Sequence, residues 1–591
     1  MDISRRRALG LIGLGGGVGL TSCASGASSG FSRSDLERYI STVPVSFDHG
    51  VASGDAMADR IIFWTRVTPA EPTTTPIPVF VQYSKRLEAF DELAEARIDM
   101  NDPFASTQNI DIVQDLTSTS ASRDYTVKVD ATGLEPDTVY FYRFAVMTGT
   151  GVVNSPIART RTMPATGGDQ LRAAVVSCSN WPFGYFNVYK AIAERDDVDA
   201  VIHLGDYFYE YGIDGYGGTA GEALGRRHDP VTEIVTLEDY RTRHAQYKTD
   251  VDLQAAHAIA PWFCTWDDHE STNNSYRSGA QNHNPENNEG DWTERKQRAV
   301  QAYLEWMPVR DPEPGRAREA IYRKTDFGDL ATIFMLESRL TGRSDEISWF
   351  NEISANTPPA EVPGIAADVM NRVSDPSRTM LGGLQETWLA DGMKASVEGG
   401  KTWQLLANQV ILATVKLPNL PVVLTPEEIA AMPAGYGQML MGFSPLGLPF
   451  NLDAWDGFPA ARQRLYDAAQ AAGANLITIT GDTHTAWANE LNDGDDMVGV
   501  EFGCTSVTSP GMGSSFPIER LGELYADANE DVVWYDPFGH GFTLLTLTPE
   551  RAVADYYKVS TIREREFTTD KVISFETVLE DGEMSTLRQI S

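Results

Sequence analysis

Five apolar runs along the chain each stop at a residue that can hold a cation. Ala173-Ala174-Val175-Val176 is followed by Ser177-Cys178-Ser179-Asn180, and Ala200-Val201-Ile202-His203-Leu204 runs into Gly205-Asp206, with Tyr209 three positions on. Pro261 to Trp266 runs into Asp267-Asp268-His269-Glu270, Trp403 to Ala407 ends in Asn408-Gln409, and Asn475 to Thr480 ends in Gly481-Asp482-Thr483-His484. Short apolar runs bounded by turn residues read as buried strands. Helical stretches between them (Phe186 to Arg195, Thr293 to Glu305, Ala460 to Ala471) give the alternation of a layered α/β domain. Ligands in such domains sit beyond the carboxyl ends of the strands. All five donor sets are therefore expected at the same end of one sheet.

Taken singly, Cys178 reads as an inert buried cysteine, and for Asp206 a strand cap without function is the lesser reading; the series is what carries weight. Three acids and an imidazole at Asp267 to Glu270 repel one another unless a cation sits among them. Carboxylates and amide oxygens suit a hard cation such as Ca²⁺ or Mg²⁺. Thiolate, phenolate and imidazole suit Fe³⁺ or another transition metal. The mixture of donors points to two unlike metals.

Composition narrows the partners. Lys and Arg number 48 against 83 Asp and Glu, a formal charge of −35 that repels phosphate backbones, so nucleic-acid binding along a basic patch is excluded. Hydrophobic residues make up 42% of the 591, enough for real cores. Ser4-Arg5-Arg6-Arg7 before the weakly apolar Ala8 to Leu20 reads as a twin-arginine export signal over residues 1–22. Leu20-Thr21-Ser22-Cys23 resembles a lipoprotein cleavage box, placing a lipid on Cys23 and a flexible tether over 23–44. Three cysteines, Cys178, Cys264 and Cys504, then remain in an exported chain, and an odd number cannot all pair. Residues 45–165 alternate at period two in runs such as Arg60 to Arg66, Val79 to Tyr83, Asp124 to Val129 and Tyr140 to Phe144, as in a small antiparallel sandwich. The α/β domain is expected over 166–591.

Phe-Asp-His-Gly-Val-Ala-Ser-Gly-Asp at Phe47, Gly-Asp-Tyr-Phe-Tyr-Glu at Gly205, Trp-Asp-Asp-His-Glu at Trp266 and Gly-Asp-Thr-His at Gly481 occur in that order. Together they resemble the alkaline phosphatase D (PhoD-like) family of metallophosphatases, relatives of the calcineurin-like and purple acid phosphatases. The chain departs from the wider superfamily with Cys178 for the first aspartate, Asp268 for an asparagine, Asn408 near the lone histidine, and Asp482 for the first histidine of a pair.

The resemblance implies a layered α/β sandwich of mixed sheets flanked by helices, behind a fibronectin- or immunoglobulin-like all-β domain. It implies Fe³⁺ on Cys178, Tyr209 and His484, Ca²⁺ on Asp268, Asn408 and Asp482, and Asp206 bridging them. His269 would contact the phosphate or protonate the leaving oxygen. The activity implied is hydrolysis of phosphomonoesters or phosphodiesters by attack of a metal-bound hydroxide, since the chain has no nucleophilic-serine elbow or Walker loop. The alternatives are a phospholipase D-like lipid diesterase and a non-enzymatic surface binding protein with a structural metal. The expected partners are a phosphate-ester substrate, the twin-arginine translocase, and the membrane through the lipid on Cys23, with the protein periplasmic or at the cell surface. Arg339 and Arg343 are candidate phosphate anchors or surface ion-pair partners, and His244 and His257 read as structural. The long insertions Gly212 to Val235, Arg343 to Thr379 and Pro418 to Phe458 are expected to rim the site. Met439 to Phe443 and Pro445 to Phe450 would give that rim an apolar character suited to diesters with an apolar group.

Overall fold

Leu171–Val176, Ala200–His203 and Trp262–Cys264 pair side by side in parallel in the computed structural model, which describes residues 38–95, 110–354, 357–358, 360–433 and 435–590. The export leader and Cys23 lie outside the described residues. These three strands are covered on both faces, which is why they read as continuous apolar runs. His540–Leu547, Arg551–Val559 and Thr569–Glu580 extend the sheet antiparallel on one side. On the other side Trp262–Cys264 meets Val51–Gly54, which leads to Arg60–Arg66 and Thr126–Thr132. The junction needs glycine: a Cβ on Gly54 would lie 2.2 Å from the Pro308 carbonyl oxygen and 2.7 Å from that of Trp262.

The N-terminal β-region is thus shared between two sheets. One layer is a six-stranded sheet built around Val139–Thr148. The other is the edge of the eleven-stranded sheet that continues into the α/β region across residue 165. Phe63 of that edge stacks on Tyr142 of the six-stranded sheet at 4.4 Å. Period-two alternation marks the buried face of each strand but not its lateral neighbour, so this sharing left no trace in the sequence. The Tyr140 hydroxyl accepts a bond from the Glu135 amide at 2.9 Å, closing the corner before its strand. Part of the stretch read as a flexible tether is instead a strand, because Ile40–Ser41 pairs with Met147–Thr148.

A seven-stranded sheet has Ala331–Met335, Trp403–Ala407, Leu476–Thr480 and Asp496–Gly503 parallel at its heart. It packs against the eleven-stranded sheet through one core in which Val175 and Ile202 join Ile333, Leu405 and Ile479. Helices Asn187–Ala193, Leu237–Lys248 and Trp292–Trp306 cover one outer face, and Gly383–Glu398 and Pro459–Ala472 cover the other. The layers run helix, sheet, sheet, helix. The five donor-bearing strands therefore come from two sheets, three from one and two from the other, and not from one sheet as the strand alternation suggested. Among the described residues no helix is long and apolar enough to cross a membrane.

Candidate metal centre

Four donor residues leave their strands in the left-handed region: Cys178 at φ 62°, Asp206 at 55°, Asp482 at 63° and His484 at 61°. Non-glycine residues rarely adopt it, and such strain collects where a site demands a particular side-chain direction. Gly205, at φ 107°, lets two strand ends touch, since a Cβ there would sit 2.3 Å from the Asp267 amide nitrogen. Glu270 locks the same junction by accepting from the amides of Asp206 at 3.1 Å, Tyr207 at 2.6 Å and Asp267 at 2.9 Å. It serves the turn and not the cluster.

Three triads of donor atoms follow from this convergence. Cys178, Asp206 and His484 offer ligand atoms within 4.8 Å of one another, and so do Asp206, Asp268 and His269, and Asp267, Asp268 and Asp482. Asp206 belongs to the first two and Asp268 to the last two, so the triads form one continuous chain. Tyr209 Oη joins the first, donating to Asp206 Oδ2 at 2.9 Å, standing 3.0 Å from His484 Nε2 and accepting from Ser509 Oγ at 2.7 Å. Asn408 turns its Nδ2 to the Val410 carbonyl at 2.6 Å. Its Oδ1, Asp206 Oδ1 and Asp267 Oδ2 are buried with no hydrogen-bond partner among the described residues. Buried oxygens in that state are costly unless a ligand takes them. The residues present therefore fit cations, with oxygen donors on one side and sulfur, phenol and imidazole on the other.

The electrostatics agree. Burial pushes Asp206 and Asp482 well above the usual carboxylate range, with neighbouring carboxylates adding to it, and raises Asp267 to about 6. Burial also raises the Cys178 thiol and the Tyr209 phenol and lowers His484 to about 4. Crowded, desolvated acids of this kind ionise together only with positive charge among them.

His269 behaves oppositely. Burial alone would lower it, but the Asp268, Glu210 and Asp206 carboxylates outweigh burial and raise it above its ordinary value. Its Nδ1 lies 2.6 Å from Glu210 Oε2. Glu210 in turn accepts from Thr272 Oγ1 at 3.1 Å, the Asn273 amide at 2.8 Å and Asn282 Nδ2 at 2.9 Å.

Arg339 and Arg343 are neither free phosphate anchors nor surface partners. Both are buried. Arg339 binds Asp267, Asp453 at 2.6 Å and Asp482 at 3.1 Å, and Arg343 binds Asp453. Each Arg339 nitrogen already holds a carboxylate, and Arg343 donates to Asp453, the Ser338 carbonyl and Met380 Sδ. His257 stacks on Trp262 at 3.8 Å and His244 on Trp306 at 6.0 Å, both deep in the fold and apart from the triads. Glu210, Asp267 and Asp453 received no individual role in the sequence reading. The first two stand inside the strings that drew attention to their neighbours, whereas Asp453 sits in an insertion with no local signal.

Residues 173–556 match a family model described as PhoD-like phosphatase, and residues 35–164 one described as PhoD-like phosphatase, N-terminal domain. The chain belongs to the PhoD-like phosphatase family. Alkaline phosphatase D of Bacillus subtilis (strain 168) is 32% identical to it over 527 residues, covering 86% of this chain and 77% of the relative. A solved structure of PhoD superposes with a TM-score of 0.71 at 30% identity, covering 92% of each chain. This PhoD-like chain is accordingly a phosphatase, a hydrolase of phosphate esters, with its donor triads at the shared rim of the two sheets.

Proposed function

We propose that the protein is an exported, metal-dependent phosphatase that cleaves phosphomonoesters and simple phosphodiesters. The observation that carries this is the chain of triads linked through Asp206 and Asp268, with buried oxygens lacking partners. Cys178, Tyr209 and His484 would hold Fe³⁺, and Asp268, Asn408 and Asp482 would hold Ca²⁺, with Asp206 common to both. Bound cations supply acidified water and counter-charge for the transferred phosphoryl group. His269 keeps a proton on the imidazole for the leaving oxygen, because Glu210 fixes the Nδ1 side and leaves Nε2 to face the ester. Arg339 holds Asp267 and Asp482 in place by binding both. The leader arginines and Cys23 support twin-arginine export and a lipid anchor at the periplasmic or outer face of a membrane.

Elemental analysis of the purified chain, with turnover on a panel of matched mono- and diesters, tests this reading. Iron and calcium with ester hydrolysis are expected. A metal-free protein that hydrolyses no ester would favour a surface binding role. Fractionation of Cys23→Ala tests the anchor: release from membranes with specific activity retained is expected, and unchanged membrane association contradicts it.

A further inference from the structure

Beside the donor triads the fold encloses a cavity of about 280 Å³. Its lining joins the centre at three points. Thr483, between Asp482 and His484, forms part of the wall. So does Asn274, whose amide donates to Asp268 Oδ2 at 2.7 Å, and so does Asp453, whose carboxylate binds Arg339. The opposite side reaches Phe350 and Lys416, both exposed, so the space runs from the donors to solvent.

Most of the remaining wall is aromatic or aliphatic, with Trp349, Phe450, Trp487, Met512, Tyr525 and Tyr535 as its largest side chains, and Ser348, Asn451, Glu346 and Asp456 are among its polar members. Trp487 and Tyr535 stack at 3.9 Å, and Tyr525 packs on Tyr535 at 4.8 Å. What decides the chemistry is where the polar atoms of these residues go. Trp487 Nε1 donates to Thr483 Oγ1 at 3.0 Å and Thr485 Oγ1 at 2.9 Å, and Trp349 Nε1 donates to the Pro449 carbonyl at 3.0 Å. Tyr525 Oη donates to Met512 Sδ at 3.3 Å. The acids of the lining are occupied as well: Asp456 by Arg462 at 2.8 Å, Glu346 by Asn274 Nδ2 at 2.7 Å, and Asp453 by Arg339 and Arg343. With most of its polar groups bonded within the protein, the wall has few free partners for a sugar or a nucleobase. Of the insertion read as an apolar rim, Phe450 lines the cavity, while Leu440 and Phe443 are buried in the core behind it.

We infer that this cavity is a specificity subsite for the organic group of the ester, and that the group it takes is apolar, an aryl ring or a medium-length alkyl chain. The inference rests on the phosphatase reading and names its substrate class. A dry apolar cavity of about 150 Å³ takes benzene, so this one holds a substituted ring or roughly an octyl chain.

The test is kcat/KM of the metal-loaded full-length chain on a series of n-alkyl phosphates from methyl to octyl, with glycerol phosphate and phosphocholine alongside. Full burial of each methylene raises kcat/KM by about fourfold, so a rise of roughly two- to fourfold per carbon is expected along the series. Val415→Trp and Met512→Trp, which fill the cavity, should flatten that slope. The same series of alkylphosphonates as inhibitors of the unaltered protein repeats the measurement without a variant, and inhibition should tighten with chain length. Turnover of methyl and octyl phosphate at the same efficiency, or preference for phosphocholine or glycerol phosphate over the octyl ester, would overturn the subsite while leaving the phosphatase reading intact. Failure to cleave any ester would overturn both.

Discussion

His269 Nδ1 and Glu210 Oε2 stand 2.6 Å apart in the interior, and the Glu210 carboxylate directs its other bonds to the same loop, at Thr272, Asn273 and Asn282. An imidazole held in this way keeps its orientation and its proton. His269→Ala should lower kcat by roughly 10²- to 10⁴-fold with metals retained, the range for loss of a general acid. Glu210→Gln should cost about 10- to 100-fold, as orienting partners commonly do. Both losses should be larger for alkyl esters than for nitrophenyl esters, because a good leaving group needs no proton. Equal losses on the two ester types would contradict a proton-donating His269.

Cys178 ends its strand in a left-handed turn, within 4.8 Å of Asp206 and His484 donors. If it carries iron, the purified protein absorbs visible light through sulfur- or phenolate-to-iron charge transfer. Cys178→Ser should weaken or shift that band and reduce bound iron, measured by absorption and elemental analysis on one sample. A colourless protein holding only zinc, with Cys178→Ser fully active, would contradict the assignment.

Lys248 is fully buried without a carboxylate partner among the described residues, its Nζ bonded to Tyr207 Oη at 2.9 Å, 3.3 Å from His257 Nε2 and 4.6 Å above the Trp64 ring. Burial lowers it from 10.5 to about 7, with the nearby Cys264 opposing the shift weakly. Its folded value is depressed, so the unfolded chain binds more protons between those two values. This group's contribution to stability therefore rises as pH rises from about 7 to 10.5, by about 5 kcal/mol in all. Denaturant unfolding of the unaltered protein and of Lys248→Met across that window should differ in slope, the variant lacking this rise. Identical slopes would show that Lys248 stays charged.

Arg339 binds Asp267, Asp453 and Asp482 in full burial. Arg339→Met leaves the desolvated Asp267 and Asp482 without their cation, while Asp453 keeps Arg343, and a broken buried pair costs about 3–5 kcal/mol. Denaturant unfolding of metal-stripped protein isolates this effect from metal loss. Unchanged stability would mean that the carboxylates take protons or water at little cost.

Much of the site was legible because its donors sit where apolar runs stop. Asp206, Asp482 and His484 were visible as polar residues closing buried strands, and the strand Arg60–Arg66 has the bounds its alternation suggested. What escaped was lateral. Nothing in the run Trp403 to Ala407 says that it pairs in a different sheet from Trp262–Cys264, since side-chain period encodes the buried face and not the neighbour. The role of Arg339 was hidden for a related reason. Its three carboxylates lie 72, 114 and 143 positions away, and a buried ion network of such range has no local pattern.

The measurement that bears most directly on the central claim is turnover of nitrophenyl phosphate by the full-length chain stripped with chelator and then titrated with iron and calcium, run beside Asp206→Asn. The cluster linked through Asp206 predicts that the stripped protein is inactive, that the two cations together restore it, and that Asp206→Asn neither retains metal nor recovers. Full turnover by demonstrably metal-free protein, or by Asp206→Asn, would contradict it.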